Sequence, residues 1–205
     1  AVPDGVRKIR GHAFQGCSGM TEITIPDTVT DIGELAFYWC MGLKEIVLPS
    51  GMVKISNALF SMCENIDKIV LPDTLTTIGD AGFHGCASLN EIIIPENVTY
   101  IGERPFGYCE NLRHITFTGD APVFHENAFK YLETCVMYPV NNITWTSDMM
   151  QDYGGDVTWV SYGDPVTSGT CGDNLIWSFD IDTDTLTISG IGDMNDCGNG
   201  NMPWV

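Results

Sequence analysis

Residues 72–94 read PDTLTTIGDAGFHGCASLNEIII, and the next stretch opens again on a proline, Pro95. The same skeleton recurs along the chain at a fixed step. Prolines stand at Pro3, Pro26, Pro49, Pro72 and Pro95, each 23 residues after the last. Cys17, Cys40, Cys63, Cys86 and Cys109 keep that step, as do Phe14, Phe37, Phe60, Phe83 and Phe106. So do Ile9, Ile32, Ile55, Ile78 and Ile101. Self-similarity at a period of this size marks a solenoid built from one small supersecondary unit per copy. Such a unit cannot bury its own apolar residues, so copies stack and bury them against each other.

Within residues 72–94, Pro72 and Asp73 make a turn, because proline fixes φ and offers no backbone donor. Leu75 and Ile78 follow at three-residue spacing, and Gly79 marks a bend. Phe83 and Cys86, three apart, predict one short helical or 3₁₀ turn over Asp80 to Cys86. Leu89, Ile92 and Ile94 then give the alternation of a half-buried strand.

The spacing Leu-x-x-Ile-x-Ile is that of a leucine-rich repeat. The fuller pattern from Ile78 to Pro95, Ile-Gly-x-x-x-Phe-x-x-Cys-x-x-Leu-x-x-Ile-x-Ile-Pro, resembles the BspA-like leucine-rich repeats of bacterial surface proteins. The resemblance covers residues 2 to about 140. It departs in single positions, with Ser56 in place of the glycine and Met52 and Ile66 in place of the usual aliphatics. It implies an α/β fold: a right-handed solenoid of parallel strands and short helical turns, on the surface of a bacterial cell or outside it. Residues 118–145 look like a degenerate capping copy. Phe124 stands where the next isoleucine is due, Phe129 lies 23 residues after Phe106, and Cys135 to Pro139 forms a closing strand.

After Trp145 the period stops. All nine Lys and Arg lie between Arg7 and Lys130, whereas residues 146–205 hold ten Asp and no basic residue. The expected organisation is therefore repeats over 1–145, a linker with a short strand at Val157 to Tyr162 over 146–167, and a β-hairpin segment over 168–205. In that segment Leu175 to Ile181 and Thr185 to Gly190 flank an Asp-rich turn. It is similar to the start of a further repeat array of the same family, which implies that the sequence is a piece of a longer protein.

Several classes of function are disfavoured. The formal net charge of −18 opposes nucleic acids and anionic lipid surfaces, whose phosphates need Lys and Arg, and favours a basic partner. No run of about 18 apolar residues is present, so membrane insertion is not expected. The cysteine column lies beside the phenylalanine column, where a thiol packs as a small hydrophobe. Unpaired thiols are expected there, and only Cys171 and Cys197 are candidates for a bridge. Thr185 and Ile191 stand where a calcium loop starting at Asp180 needs glycine and glutamate. No metal site, cofactor or catalytic constellation is visible, and His12, His84, His114 and His125 fall at unrelated repeat positions.

What remains is a surface. With Leu and Ile inward, the x positions form three columns on the exposed, concave face of the sheet. The first is Thr21, Lys44, Asp67, Asn90 and Arg113; the second is Glu22, Glu45, Lys68, Glu91 and His114. The third, Thr24, Val47, Val70, Ile93 and Thr116, carries three branched aliphatics in a row. Adjacent exposed apolar residues mark contact sites, although β-branched residues also simply favour strands. The candidate binding residues are thus Val47, Val70, Ile93, Lys44, Lys68, Glu45, Glu91, Arg113 and His114. The resemblance implies adhesion to a protein or glycan, including host extracellular matrix, without catalysis. The alternative is a spacer that holds another domain away from the cell wall.

Overall fold

The computed structural model describes residues 1–140, 142–163, 168–172, 175–180 and 185–190. Each copy after the first contributes two short strands separated by turns, and the first contributes one. One series is β1 (Lys8–Ile9), β2 (Asp31–Ile32), β4 (Lys54–Ile55), β6 (Thr77–Ile78), β8 (Tyr100–Ile101) and β10 (Val123–Phe124). The other is β3 (Glu45–Val47), β5 (Lys68–Val70), β7 (Glu91–Ile94), β9 (His114–Phe117), β11 (Glu133–Pro139) and β12 (Asp156–Tyr162). Strands β4, β6, β8 and β10 form one parallel sheet, and β1 pairs with β2 in the same sense. On the other series β3 pairs with β5, and β7, β9, β11 and β12 form a second sheet.

The register repeats the period: Ile55 faces Ile78, Ile78 faces Ile101, and Ile92 faces Ile115. A parallel step moves each residue to its counterpart in the next copy, so identical residues meet along the solenoid. The core is the product of that rule. Phe37, Phe60, Phe83 and Phe106 are fully buried, and with Phe14 their rings stack at 5.2–5.7 Å with planes within 10°. Burial of each ring is reinforced by stacking worth about 0.5–1.5 kcal/mol per pair.

The expected helical turn does not form, and no helix occurs among the described residues. The α part of the α/β expectation is corrected accordingly. Residues 79–86 make consecutive β-turns instead: the amides of Gly82, His84 and Cys86 donate to the carbonyls of Gly79, Ala81 and Phe83 at 3.1–3.2 Å. The amides between them, of Ala81, Phe83 and Gly85, donate to Glu103, Pro105 and Gly107 of the next copy at 2.8–2.9 Å. A helix would turn every amide back on its own segment. Here alternate amides point along the solenoid axis, which needs positive φ at the third position of each outer turn, as in type II turns. Ala81 has φ 53° and Gly85 φ 72°, and Leu35, Ala58 and Arg104 repeat the first of these values within about ten degrees. Three-residue spacing of Phe83 and Cys86 suits both geometries. The hydrogen bonds between copies decide for turns.

Four of the five column thiols pack in the core as the sequence suggests, and Cys17 does not. Cys40, Cys63, Cys86 and Cys109 are buried and free, each donating from Sγ to a phenylalanine carbonyl 26 residues back at 3.0–3.3 Å. Cys17 is free and exposed. Burial raises the Cys86 thiol and pushes Cys109 up to about 12. Cys171 and Cys197, the candidates for a bridge, fall outside the described residues and side chains. At the one repeat where serine replaces glycine, Ser56 is buried and its hydroxyl donates to the Ile32 carbonyl at 2.5 Å.

Residues 118–160 close the core. Phe124, Phe129 and Val136 are buried, and Trp145 packs on Phe117 at 5.1 Å, Tyr138 at 5.5 Å and Trp159 at 5.8 Å. Aromatic residues of this size replace a further copy as the last neighbour. The chain divides into two compact units, 1–160 and 161–205. The second contains β13 (Ser168–Gly172), β14 (Leu175–Asp180) and β15 (Thr185–Gly190) in an antiparallel sheet.

Two outcomes follow. Ala81→Gly is expected to stabilise the chain by roughly 0.5–1 kcal/mol in urea unfolding, since glycine relieves positive φ at some cost in unfolded-state entropy. In a helix the same change would destabilise by about 1 kcal/mol, so the sign decides. Thiol labelling of the folded chain is expected to modify Cys17 promptly and the four buried thiols only on unfolding. Because an unfolded thiol ionises near pH ~8.5 while burial holds Cys86 and Cys109 neutral well above it, stability is expected to fall as pH rises above that value.

Candidate functional site

Short strands with alternating burial set the site. In β3, Glu45 and Val47 point outward and Ile46 inward; in β7, Glu91 and Ile93 point outward and Ile92 and Ile94 inward. Glu45 stands beside Lys68 and Val47 beside Val70, while Glu91 stands beside His114 and Ile93 beside Thr116. All nine residues singled out in the sequence are exposed on the strand series, among them Lys44 and Arg113. Val47, Val70 and Ile93 are 56%, 45% and 62% accessible. These are large fractions beside the core-facing Ile46, Ile92 and Ile115, which are 0–2% accessible, although Val53 and Val123 at the other strand series are also exposed.

The charges around them are open. Lys68 Nζ lies 3.6 Å from Glu45 Oε1 with both side chains more than half exposed, a surface pair worth little. Neither Lys44 nor Arg113 makes an ion pair among the described residues. Their backbones are fastened: the Lys44 amide donates to Thr21 at 3.3 Å and the Arg113 amide to Asn90 at 2.9 Å. The strands therefore hold the columns rigidly while the side-chain heads stay in water.

One feature was not legible in the sequence. No hydrogen bond joins β5 to β7, so the strand series is interrupted in its middle. A groove of about 370 Å³ lies there, lined by Asp67, Ile69, Val70, Asp73, Glu91 and Ile93 among others. A second, of about 820 Å³, lies between residues 21–27 and β3, where the Lys44 amide donates to the Thr21 carbonyl and the Ser50 amide to Asp27 Oδ1. Ladder continuity depends on backbone separation, and nothing in residue type reports it. A second missed feature is the turn column Trp39, Met62, Tyr108 and Tyr131, all at positive φ in register with Gly16 and Gly85. The register itself was visible, but not the backbone conformation. Among the described residues no group of His, Cys, Asp or Glu could hold a metal ion, and no helix is long and apolar enough to cross a membrane.

Comparison with known proteins bears directly on the repeat. The family described as BspA type leucine rich repeat region, six copies, matches residues 7–136, more than half of the chain. The chain belongs to this BspA-type leucine-rich repeat family. Among solved structures, it is similar to a leucine-rich cell surface protein from Faecalibacterium prausnitzii, at 26% identity and a TM-score of 0.57. That match covers 79% of this chain and 49% of the other. A leucine-rich repeat protein from Bacteroides ovatus matches at 28% identity and a TM-score of 0.59, over 78% of this chain and 41% of that one. A T. pallidum leucine-rich repeat protein, at 24% identity, TM-score 0.56 and coverage of 78% and 83%, shares the fold. The chain thus spans about half, or less, of the length of the first two. No curated protein matches it. As a BspA-type repeat, it is a parallel-strand solenoid of a family that points to interaction at a surface.

Proposed function

We propose that this chain is a non-catalytic binding module of an extracellular or cell-surface protein, engaging a macromolecular partner through the exposed face of its strand series. The observation that carries this reading is the row Val47, Val70 and Ile93. Water-facing aliphatics in adjacent copies cost solubility, and the strand face offers polar alternatives at the same positions, as Thr24 and Thr116 show. The copies on either side carry charge in the neighbouring columns, so the row is an apolar strip with a polar rim, the arrangement of an interface centre. A partner gains most where it desolvates that strip.

Adhesion is the role this supports, with a protein partner favoured over a glycan because the strip is aliphatic rather than aromatic. The cell-surface description of the F. prausnitzii protein supports the location. The acidic charge of −18 supports a partner that is basic where it makes contact.

The test is solid-phase binding to extracellular-matrix proteins, mucins and glycans, with Val70→Lys, Ile93→Lys as the comparison. Both side chains point to solvent, so the double variant is expected to retain its urea midpoint within about 0.5 kcal/mol. Loss of at least about tenfold in affinity, equivalent to 1.4 kcal/mol, is the expected result. Unchanged binding to every partner of the wild type would remove the strip from the interface. Sensitivity to core changes alone would favour a spacer.

A further inference from the structure

We infer that the groove between β5 and β7 receives a lysine or arginine side chain from an extended segment of the protein partner; this rests on the sheet face being the binding surface. The floor is apolar and opened by the interruption. Ile46, Ile92 and Ile115 are 0–2% accessible, whereas their counterpart Ile69 is only half-buried. Val70 and Ile93 form the walls. A long cationic side chain has an aliphatic stem to lay along such a floor and a charged head to leave at the rim.

The rim fits that head. The carboxylates of Asp67, Asp73 and Glu91 all line the groove, and none has a hydrogen-bond or ion-pair partner among the described residues. Lys68, the groove's own cation, lies 3.6 Å from Glu45 on β3 in an open surface pair, and it is one positive charge against the three carboxylates of the groove. A lysine or arginine head entering here meets uncompensated carboxylates and forms charge-assisted hydrogen bonds. An acidic side chain is repelled, and a neutral apolar one fills the floor but leaves the rim unmatched. The volume of about 370 Å³ accommodates one long side chain with water around its head. The interruption adds a second element of recognition. The facing edges of β5 and β7 make no ladder hydrogen bond with each other although the strands stay adjacent, so main-chain groups at the groove can meet the head of the entering side chain.

The experiment uses short fluorescent peptides of alternating threonine and valine, with lysine, arginine, norleucine or glutamate at the centre, titrated with the whole chain by anisotropy. Lysine and arginine peptides are expected to bind about tenfold or more tighter than norleucine, with glutamate weakest and the preference shrinking as salt rises. Asp67→Asn, Asp73→Asn, Glu91→Gln together should abolish the preference. Glu64→Gln, Glu110→Gln, Glu126→Gln, an equal change of net charge away from the groove, should keep it. Equal binding of lysine and norleucine peptides, equal loss in both triple variants, or no binding of any peptide at millimolar concentration would each overturn the groove assignment. If the preference is absent but Val70→Lys, Ile93→Lys still abolishes partner binding, the sheet-face reading survives alone. Unchanged peptide and partner binding by that double variant would sink both.

Discussion

Everything in this molecule depends on each copy finding the next one at its own register. A 23-residue copy holds one phenylalanine, one cysteine and a few aliphatics, too little to exclude water from either side. Stacking turns these into columns: phenyl on phenyl at 5.2–5.7 Å, isoleucine on isoleucine, and thiols each bonded to a carbonyl of a preceding copy. The backbone does the same along the turns, where alternate amides leave their own copy for the next. Side chains join in as well. Asn57 Oδ1 accepts from the Asp80 amide at 3.0 Å, and Asp80 Oδ1 from the Glu103 amide at 2.8 Å. Asp27 accepts from the backbone and hydroxyl of Ser50, which holds its carboxyl below the usual range.

This dependence explains what could be read from sequence. A column must keep one residue type to meet itself, so the period is written in Pro, Phe, Cys and Ile, and the fold follows from it. The core residues and the outward columns were legible for the same reason. The turns were not. Phe83 and Cys86 are three apart in a helix and in paired turns alike, and the residues at positive φ include Ala58, Ala81 and Leu35, which advertise no such conformation. The sheet of β4, β6, β8 and β10 was missed because strands of two residues, such as Thr77–Ile78, show no alternation to detect. The exposed strip of Val47, Val70 and Ile93 came directly from the pattern. The groove beside it did not, because it arises from a missing ladder between two strands of ordinary sequence.

Core-facing and water-facing residues thereby alternate along the same strand. Ile92 and Ile94 face the core and join neighbouring copies, while Glu91 and Ile93 face water and are free to vary. The inward positions tolerate little change: removing a buried ring such as Phe83 costs about 3–5 kcal/mol. The outward positions differ from copy to copy, as Thr, Val and Ile do in the third column and Glu, Lys and His in the second. A scaffold with an invariant interior and a variable face can present one rigid surface of changing chemistry. Its shared fold with longer relatives reflects the interior.

Native-state hydrogen exchange of the backbone amides tests the central claim most directly, because it reports whether the copies are joined through their turns. The amides of Ala81, Phe83 and Gly85 lie in turn segments, where isolated turns exchange within the fraying limit. Donated to Glu103, Pro105 and Gly107, they should instead exchange as slowly as the strand amides of the same copy, and their counterparts Ala58, Phe60 and Met62 should match them. Rapid exchange at these amides, with protection confined to the strands, would contradict the account and leave the turns as loops outside the stack.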